Sequence, residues 1–132
     1  MIDTKMLELS DARAVVDACK EEAKANGWKI AVSVVDAGGH AILFERMDGA
    51  PPSTALVATE KARTAAVFRN ATGNMEDRIP DRLAMLVLPG AAPVKGGVPL
   101  VSGGQVIGAV GISGVQPQQD HQVAEAGAKT VQ

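Results

Sequence analysis

The chain has 132 residues, of which 46% are hydrophobic and 21% charged, and this balance predicts one globular domain, 1–132, rather than a disordered segment. The formal net charge of -2 argues against a nucleic-acid partner, which would need a basic surface to displace counterions. A single cysteine excludes an internal disulfide, and without a secretion signal or a long apolar run we expect a cytoplasmic protein with no membrane contact.

The first half of the chain predicts a helix followed by a β-hairpin. Ser10 is a plausible N-cap, and Asn26-Gly27 supplies a stop for the helix. Between them, small apolar residues recur at helical spacing on one face: Ala12, Val15, Val16, Cys19 and Ala23. Residues 30–36 are typical of a buried strand, 37–40 of a turn and 41–47 of the returning strand.

The middle of the chain predicts two helices. A loop over 48–52 contains two prolines and leads to Ser53, a second N-cap candidate, from which an alanine-rich helix extends over 53–68. Its small side chains allow close approach to a sheet. The region 74–88 is ambiguous, and we expect a short helix to Leu83 and then an extended piece.

The last part predicts a second hairpin and a final helix. Residues 98–101 and 106–113 are strands, 102–105 their turn, and 119–130 a helix. Glycines at 108, 111 and 114 suggest close backbone approach in the second strand. Hairpins rather than β-α-β units imply an α+β fold, an antiparallel sheet flanked by helices.

Several motifs occur in order along nearly the whole chain: 31–40, 46–50, Ser53, 61–66 with Phe68, 96–100, 107–114, and Asp120 with 123–127. Together they resemble the GlcG/HbpS-like family of haem-binding or haem-degrading domains. The resemblance implies a profilin-like sheet of about five strands and a homo-oligomer, often an octamer. It also implies a haem or corrinoid ligand for some members, but the chemistry must be argued from the site.

Haem ligation is the first candidate chemistry, because histidine is a common axial ligand. The chain has two histidines, His40 in the first hairpin turn and His121 near the last helix. Each is open to a simpler interpretation as a solvated polar residue. The first helix has no histidine, although some haem-binding relatives place a ligand there.

A small-molecule site is the second candidate, walled by the alanine-rich helix and the glycine- and proline-rich loops. Arginine and lysine bind carboxylates, and glycine-loop N–H groups bind anions. The predicted ligand-binding residues are Arg46, Ser53, Lys61, Arg63, Thr64, Phe68, Gly96 and Gly97. The alternative is that the charged members form solvated or inter-subunit ion pairs.

Acid–base catalysis is the third candidate, with Asp36, Asp48 and Lys61 as tentative catalytic residues of an isomerase, lyase or hydrolase acting on a small acid. Aspartates that hold turns through their own backbone are the alternative. Three functions therefore stay open: a small-molecule or tetrapyrrole binder, an enzyme of small-acid catabolism, and an accessory assembly protein.

Cys19, on the apolar helix face, is predicted to be an inert core thiol.

Overall fold

Two β-hairpins and four α-helices make up the fold, and the computed structural model describes all 132 residues. The expected α+β class with an antiparallel sheet is confirmed, although the sheet has four strands rather than about five. The elements are α1 (Leu9–Ala25), β1 (Ala31–Asp36), β2 (Ala41–Arg46), α2 (Ser53–Val67), α3 (Thr72–Arg78), two 3₁₀ turns (Ile79–Asp81 and Leu83–Val87), β3 (Gly97–Ser102), β4 (Gln105–Ser113) and α4 (Pro117–Ala128). None of the helices has the length and hydrophobicity that a membrane span requires.

The sheet has the strand order β2-β1-β4-β3, so the two central strands come from different hairpins. β1 and β4 are antiparallel, with Asp36 opposite Gly108 and Ala31 opposite Ser113. The two hairpin turns therefore lie at the same end of the sheet, which we call the turn end. The opposite end, where Ala31, Ser113 and Gly97 lie, is the base end.

Alternating strand residues build a separate core on each face of the sheet. On the α1/α4 face the core includes Val15, Val16, Val32, Val34, Ile112 and Val123. On the α2 face it consists of Val35, Ala62, Ala65, Ala66 and Ala109. A Cβ at Gly111 would overlap the backbone of Ala58 and Ala62, so glycine and alanine together allow α2 to lie directly on β4.

Three sequence-based boundaries are wrong. The N-cap of α1 is Glu8 rather than Ser10, because the Asp11 carboxylate accepts the Glu8 N–H at 2.8 Å. Ser53 is the first residue of α2 and makes no cap bond, since Pro52 holds the N-cap position. Residues 83–87 form a 3₁₀ turn instead of an extended piece. Their backbone is satisfied locally, as Met85 N–H donates to Arg82 O.

Candidate functional site

Lys61 lies in a closed interior at the base end, not in an open pocket. Its ammonium donates to Asp120 Oδ2 at 2.9 Å and to the Ile112 carbonyl at 3.0 Å. The Lys61 and Asp120 side chains are each 3% exposed. A Cβ at Gly96 would lie only 2.8 Å from Lys61 Nζ, so this glycine closes the space above the ion pair. The pair therefore joins α2 to α4 and β4.

Two opposing effects act on the ionisation of Asp120: burial disfavours the charged carboxylate, and its hydrogen-bond partners favour it. Burial raises the pKa of the Asp120 carboxyl, while the Lys61 ammonium and the Val115 N–H, which donates at 3.2 Å, work against that rise. The stability of this interior thus depends on the Lys61–Asp120 pair staying intact, because removing one partner leaves the other buried without compensation.

The hydroxyls near this corner bind the protein's own backbone. Thr64 Oγ1 accepts the Ala92 N–H at 2.9 Å and lies 3.1 Å from Gly90 O. Thr72, which the sequence interpretation did not include, accepts the Gly97 N–H at 2.9 Å. The fold thus brings Lys61, Thr64, Gly96 and Gly97 to the base end of the sheet. There the hydroxyls of Thr64 and Thr72 hold the loop before β3.

The other residues of the predicted ligand site are dispersed. Arg46, Asp48 and Ser53 are exposed, and Phe68 is half-buried. Arg63 pairs with Glu60 on its own helix at 3.0 Å. Lys61 contacts Asp120 and not Asp36 or Asp48, so the structure does not assemble the predicted acid–base group. No cavity of the structure is lined by any of the eight predicted ligand-binding residues.

A cleft opens instead at the turn end, beneath residues 2–6, and we call it the N-terminal cleft. One part is a cavity of about 400 Å³ lined by Thr4, Lys5, Met6, Asp36, Ala37, Gly38, His40 and Ile107. A second part, of about 560 Å³, is lined by Ile2, Thr4, Ala37, Arg69, Gly104, Gln105 and Val106. Thr4 and Ala37 belong to both linings, so the two parts adjoin.

His40 stands in this cleft with its orientation set by Asp36. The carboxylate Oδ1 of Asp36 accepts the backbone N–H groups of Gly38 and His40, both at 2.9 Å, and lies 3.2 Å from His40 Nδ1. The hydrogen bond from the His40 backbone contributes most to holding the pKa of Asp36 below its usual range. The His40 side chain is 83% exposed and its Nε2 makes no protein hydrogen bond.

His121 has a different environment. Its Nε2 lies 2.8 Å from Glu125 Oε1, and its Nδ1 is buried without a partner. It borders a small cavity of about 160 Å³ with Lys95 and Asp77, whose charged groups are 3.5 Å apart. Neither imidazole nitrogen of His121 is open to a ligand, in contrast to His40 Nε2.

The N-terminal cleft could not be found from the sequence because residues 2–6 show no periodicity. Their position depends on Leu7, whose side chain packs against Gly108 of β4. Asp36 and His40 were both candidates, but for different chemistries. The only local signal that joins them is their separation across a glycine turn.

Comparison with known proteins places the chain in a family. The model of the HbpS-like family, described as haem degrading protein HbpS-like, matches residues 7–129. Protein GlcG of Escherichia coli K12 is 44% identical over 103 residues, which cover 77% of each chain.

Solved structures agree with this assignment. A double mutant of HbpS from Streptomyces reticuli superposes with a TM-score of 0.92 at 28% identity, covering 100% of this chain and 91% of HbpS. A structure described as a PduOC:heme complex gives a TM-score of 0.87 at 28% identity, with 96% of both chains covered. On sequence and structure together, the chain belongs to the HbpS-like family, as the resemblance to GlcG/HbpS-like domains implied.

Proposed function

We propose that the protein binds an iron tetrapyrrole such as haem in the N-terminal cleft, with His40 as the iron ligand. The observation that carries this proposal is the exposed His40 imidazole, whose Nδ1 faces the Asp36 carboxylate at 3.2 Å. Histidines that bind metals typically direct their second nitrogen to a carboxylate, which fixes the ring and raises its basicity. The arrangement leaves His40 Nε2 free to coordinate the iron.

The cleft residues fit such a group. The two adjoining cavities, of about 400 and 560 Å³, are each within the usual range for small-molecule sites. Ile2, Met6, Val106 and Ile107 supply apolar surface for a macrocycle, and Lys5 and Arg69 supply positive charge near its edge. When bound, haem would supply a redox-active iron. The protein would orient the imidazole and shield one macrocycle face.

The relatives support the ligand class. The family is described as haem degrading, and one structural relative is a complex with haem. The small-acid enzyme has less geometric support, because Lys61 is closed off beside Asp120 and no cavity reaches it. We therefore place ligand binding ahead of catalysis.

Hemin titration tests the proposal. We expect a saturable Soret shift for the unmodified protein and for His121→Ala, and loss of the shift in His40→Ala. His121→Ala is a matched control because it removes the chain's other imidazole. Asp36→Asn should weaken hemin binding by about tenfold or more, as expected for a carboxylate that orients a ligand. A flat titration, or an unchanged shift in His40→Ala, would contradict the proposal.

We also propose that the protein forms a homo-oligomer, for which eight subunits is the expected number. The 3₁₀ turn Leu83–Val87 exposes Leu83, Leu86 and Val87 by 68%, 56% and 81%. Contiguous exposed apolar side chains are typical of protein interfaces. Val87→Glu should shift the mass measured by sedimentation or native mass spectrometry towards the monomer. The same mass for both proteins, or a monomer in the unmodified protein, would exclude this surface as the interface.

A further inference from the structure

Arg69 has an unusual backbone conformation at the end of α2. Its φ of 54° is in the left-handed region, and it is the only non-glycine residue of the chain with a positive φ. This position after a helix is usually occupied by glycine, because a Cβ makes the left-handed conformation costly. Strain of this kind persists where the surroundings enforce it and is frequent at ligand sites.

Two backbone carbonyls fix the Arg69 guanidinium at the edge of the cleft. Its Nη1 donates to Ala37 O at 2.9 Å and to Ala66 O at 3.0 Å, which joins the first hairpin turn to α2. Nε and Nη2 make no protein hydrogen bond. The free donors therefore form a planar fork of the kind that binds a carboxylate through two parallel hydrogen bonds.

The fork and the His40 imidazole belong to adjoining parts of the cleft. Arg69 lines the cavity of about 560 Å³ and His40 the cavity of about 400 Å³. Ala37 lines both, and its carbonyl is the group that Arg69 holds. A ligand large enough to occupy both cavities would therefore contact the His40 imidazole and the Arg69 side chain together.

We propose that Arg69 is the carboxylate-binding residue of the cleft, and that the ligand is a tetrapyrrole with free carboxylate substituents. This rests on the proposed function and narrows it, since amide-bearing corrinoids and esterified porphyrins lack the negative charge that the fork recognises. The left-handed backbone is the cost of placing an arginine where glycine would fit.

Iron-free porphyrins test this inference separately from His40 ligation. Binding of protoporphyrin IX and of its dimethyl ester is measured by fluorescence titration. We expect the unmodified protein to bind the free acid about tenfold more tightly than the ester, as for one charge-assisted pair. Arg69→Gly should lose this preference, and Arg69→Lys should keep only part of it. Arg78→Ala, which removes another exposed arginine on α3, should keep it in full.

Stability and hemin measurements separate the possible failures. Arg69→Gly relieves the left-handed strain, so its thermal midpoint should stay near or above that of the unmodified protein. Equal affinity for acid and ester, or a preference that survives in Arg69→Gly, overturns the role of Arg69. A preserved acid preference without any His40-dependent hemin shift refutes iron ligation and leaves the carboxylate site standing. Absence of all porphyrin binding refutes both proposals.

Discussion

Lys61→Met should destabilise the protein strongly near neutral pH. Methionine keeps the length of the side chain but leaves Asp120 without its ammonium partner in a site where the carboxylate side chain is 3% exposed. Breaking a buried pair on one side costs about 3–5 kcal/mol. Replacement of an exposed lysine, for example Lys24→Met, should change stability by less than about 0.5 kcal/mol.

In the Lys61→Met variant, protonation of Asp120 limits the loss of stability and makes that loss depend on pH. Protonating a carboxyl whose unfolded pKa is about 3.9 costs about 4 kcal/mol near pH 7 and about 1.5 kcal/mol near pH 5. Because burial already raises the pKa of Asp120 in the native protein, the unpaired carboxyl should be protonated when folded. A carboxyl whose pKa is higher in the folded than in the unfolded protein stabilises the fold at pH values below its unfolded pKa. This stabilisation is lost as pH rises through the folded pKa. The Lys61→Met penalty should thus shrink on acidification.

Urea unfolding near pH 7 and pH 5 measures both effects, with unchanged m-values as the control for a common unfolded state. The double variant Lys61→Met/Asp120→Asn should recover much of the stability near pH 7, because the amide is uncharged and still accepts the Val115 N–H. The double variant should also remove the pH dependence of the stability penalty, because it has no carboxyl at position 120 to protonate. A penalty that is equal at the two pH values, or that Asp120→Asn does not reduce, would refute this account of the pair.

Three further predictions concern the packing and charge of the rest of the fold. Gly111→Ala should cost at least about 3 kcal/mol in urea unfolding because its Cβ would overlap the α2 backbone, whereas Gly104→Ala, with open space, should cost about 1 kcal/mol from its positive φ alone. Burial raises the pKa of the Cys19 thiol to about 12, so a disulfide reagent at about pH 8 should react with it only after unfolding; fast native labelling would contradict this. Hydrogen bonds from Lys20 and then Arg13 lower the pKa of Glu45, so stability from this carboxylate is present above its unfolded pKa and lost as pH falls through the folded one. Glu45→Gln should flatten the acid limb of a thermal-midpoint profile, and an unaltered limb would exclude the contribution.

The elements were predictable because their signals are local. Helical spacing of small residues defined α1 and α2, and glycine turns defined both hairpins. The N-cap of α1 was missed because Glu8 is an uncommon cap, whose role depends on the reciprocal bond with Asp11. The strand count was overestimated because it came from the family resemblance, not from a fifth apolar run.

The candidate site was only partly predictable because its parts are distant in sequence. The fold does bring Lys61 close to Gly96, but the partner of Lys61 is Asp120, 59 residues away, and that choice depends on how α4 packs. The position of the Arg69 guanidinium depends on a backbone angle and on the Ala37 carbonyl in the first hairpin turn. No periodic pattern records such contacts.

Because both hairpin turns lie at the same end of the sheet, the proposed ligand cleft and the buried Lys61–Asp120 pair lie at opposite ends of that sheet. Substitutions in the turn-end segments 37–40 or 103–106 should leave the Lys61–Asp120 ion pair undisturbed, because it lies one strand-length away. Changes at distant, independent sites usually add in their effects on free energy. Sequence changes in the turn-end segments can therefore alter the proposed cleft while leaving intact the stability that the buried pair provides.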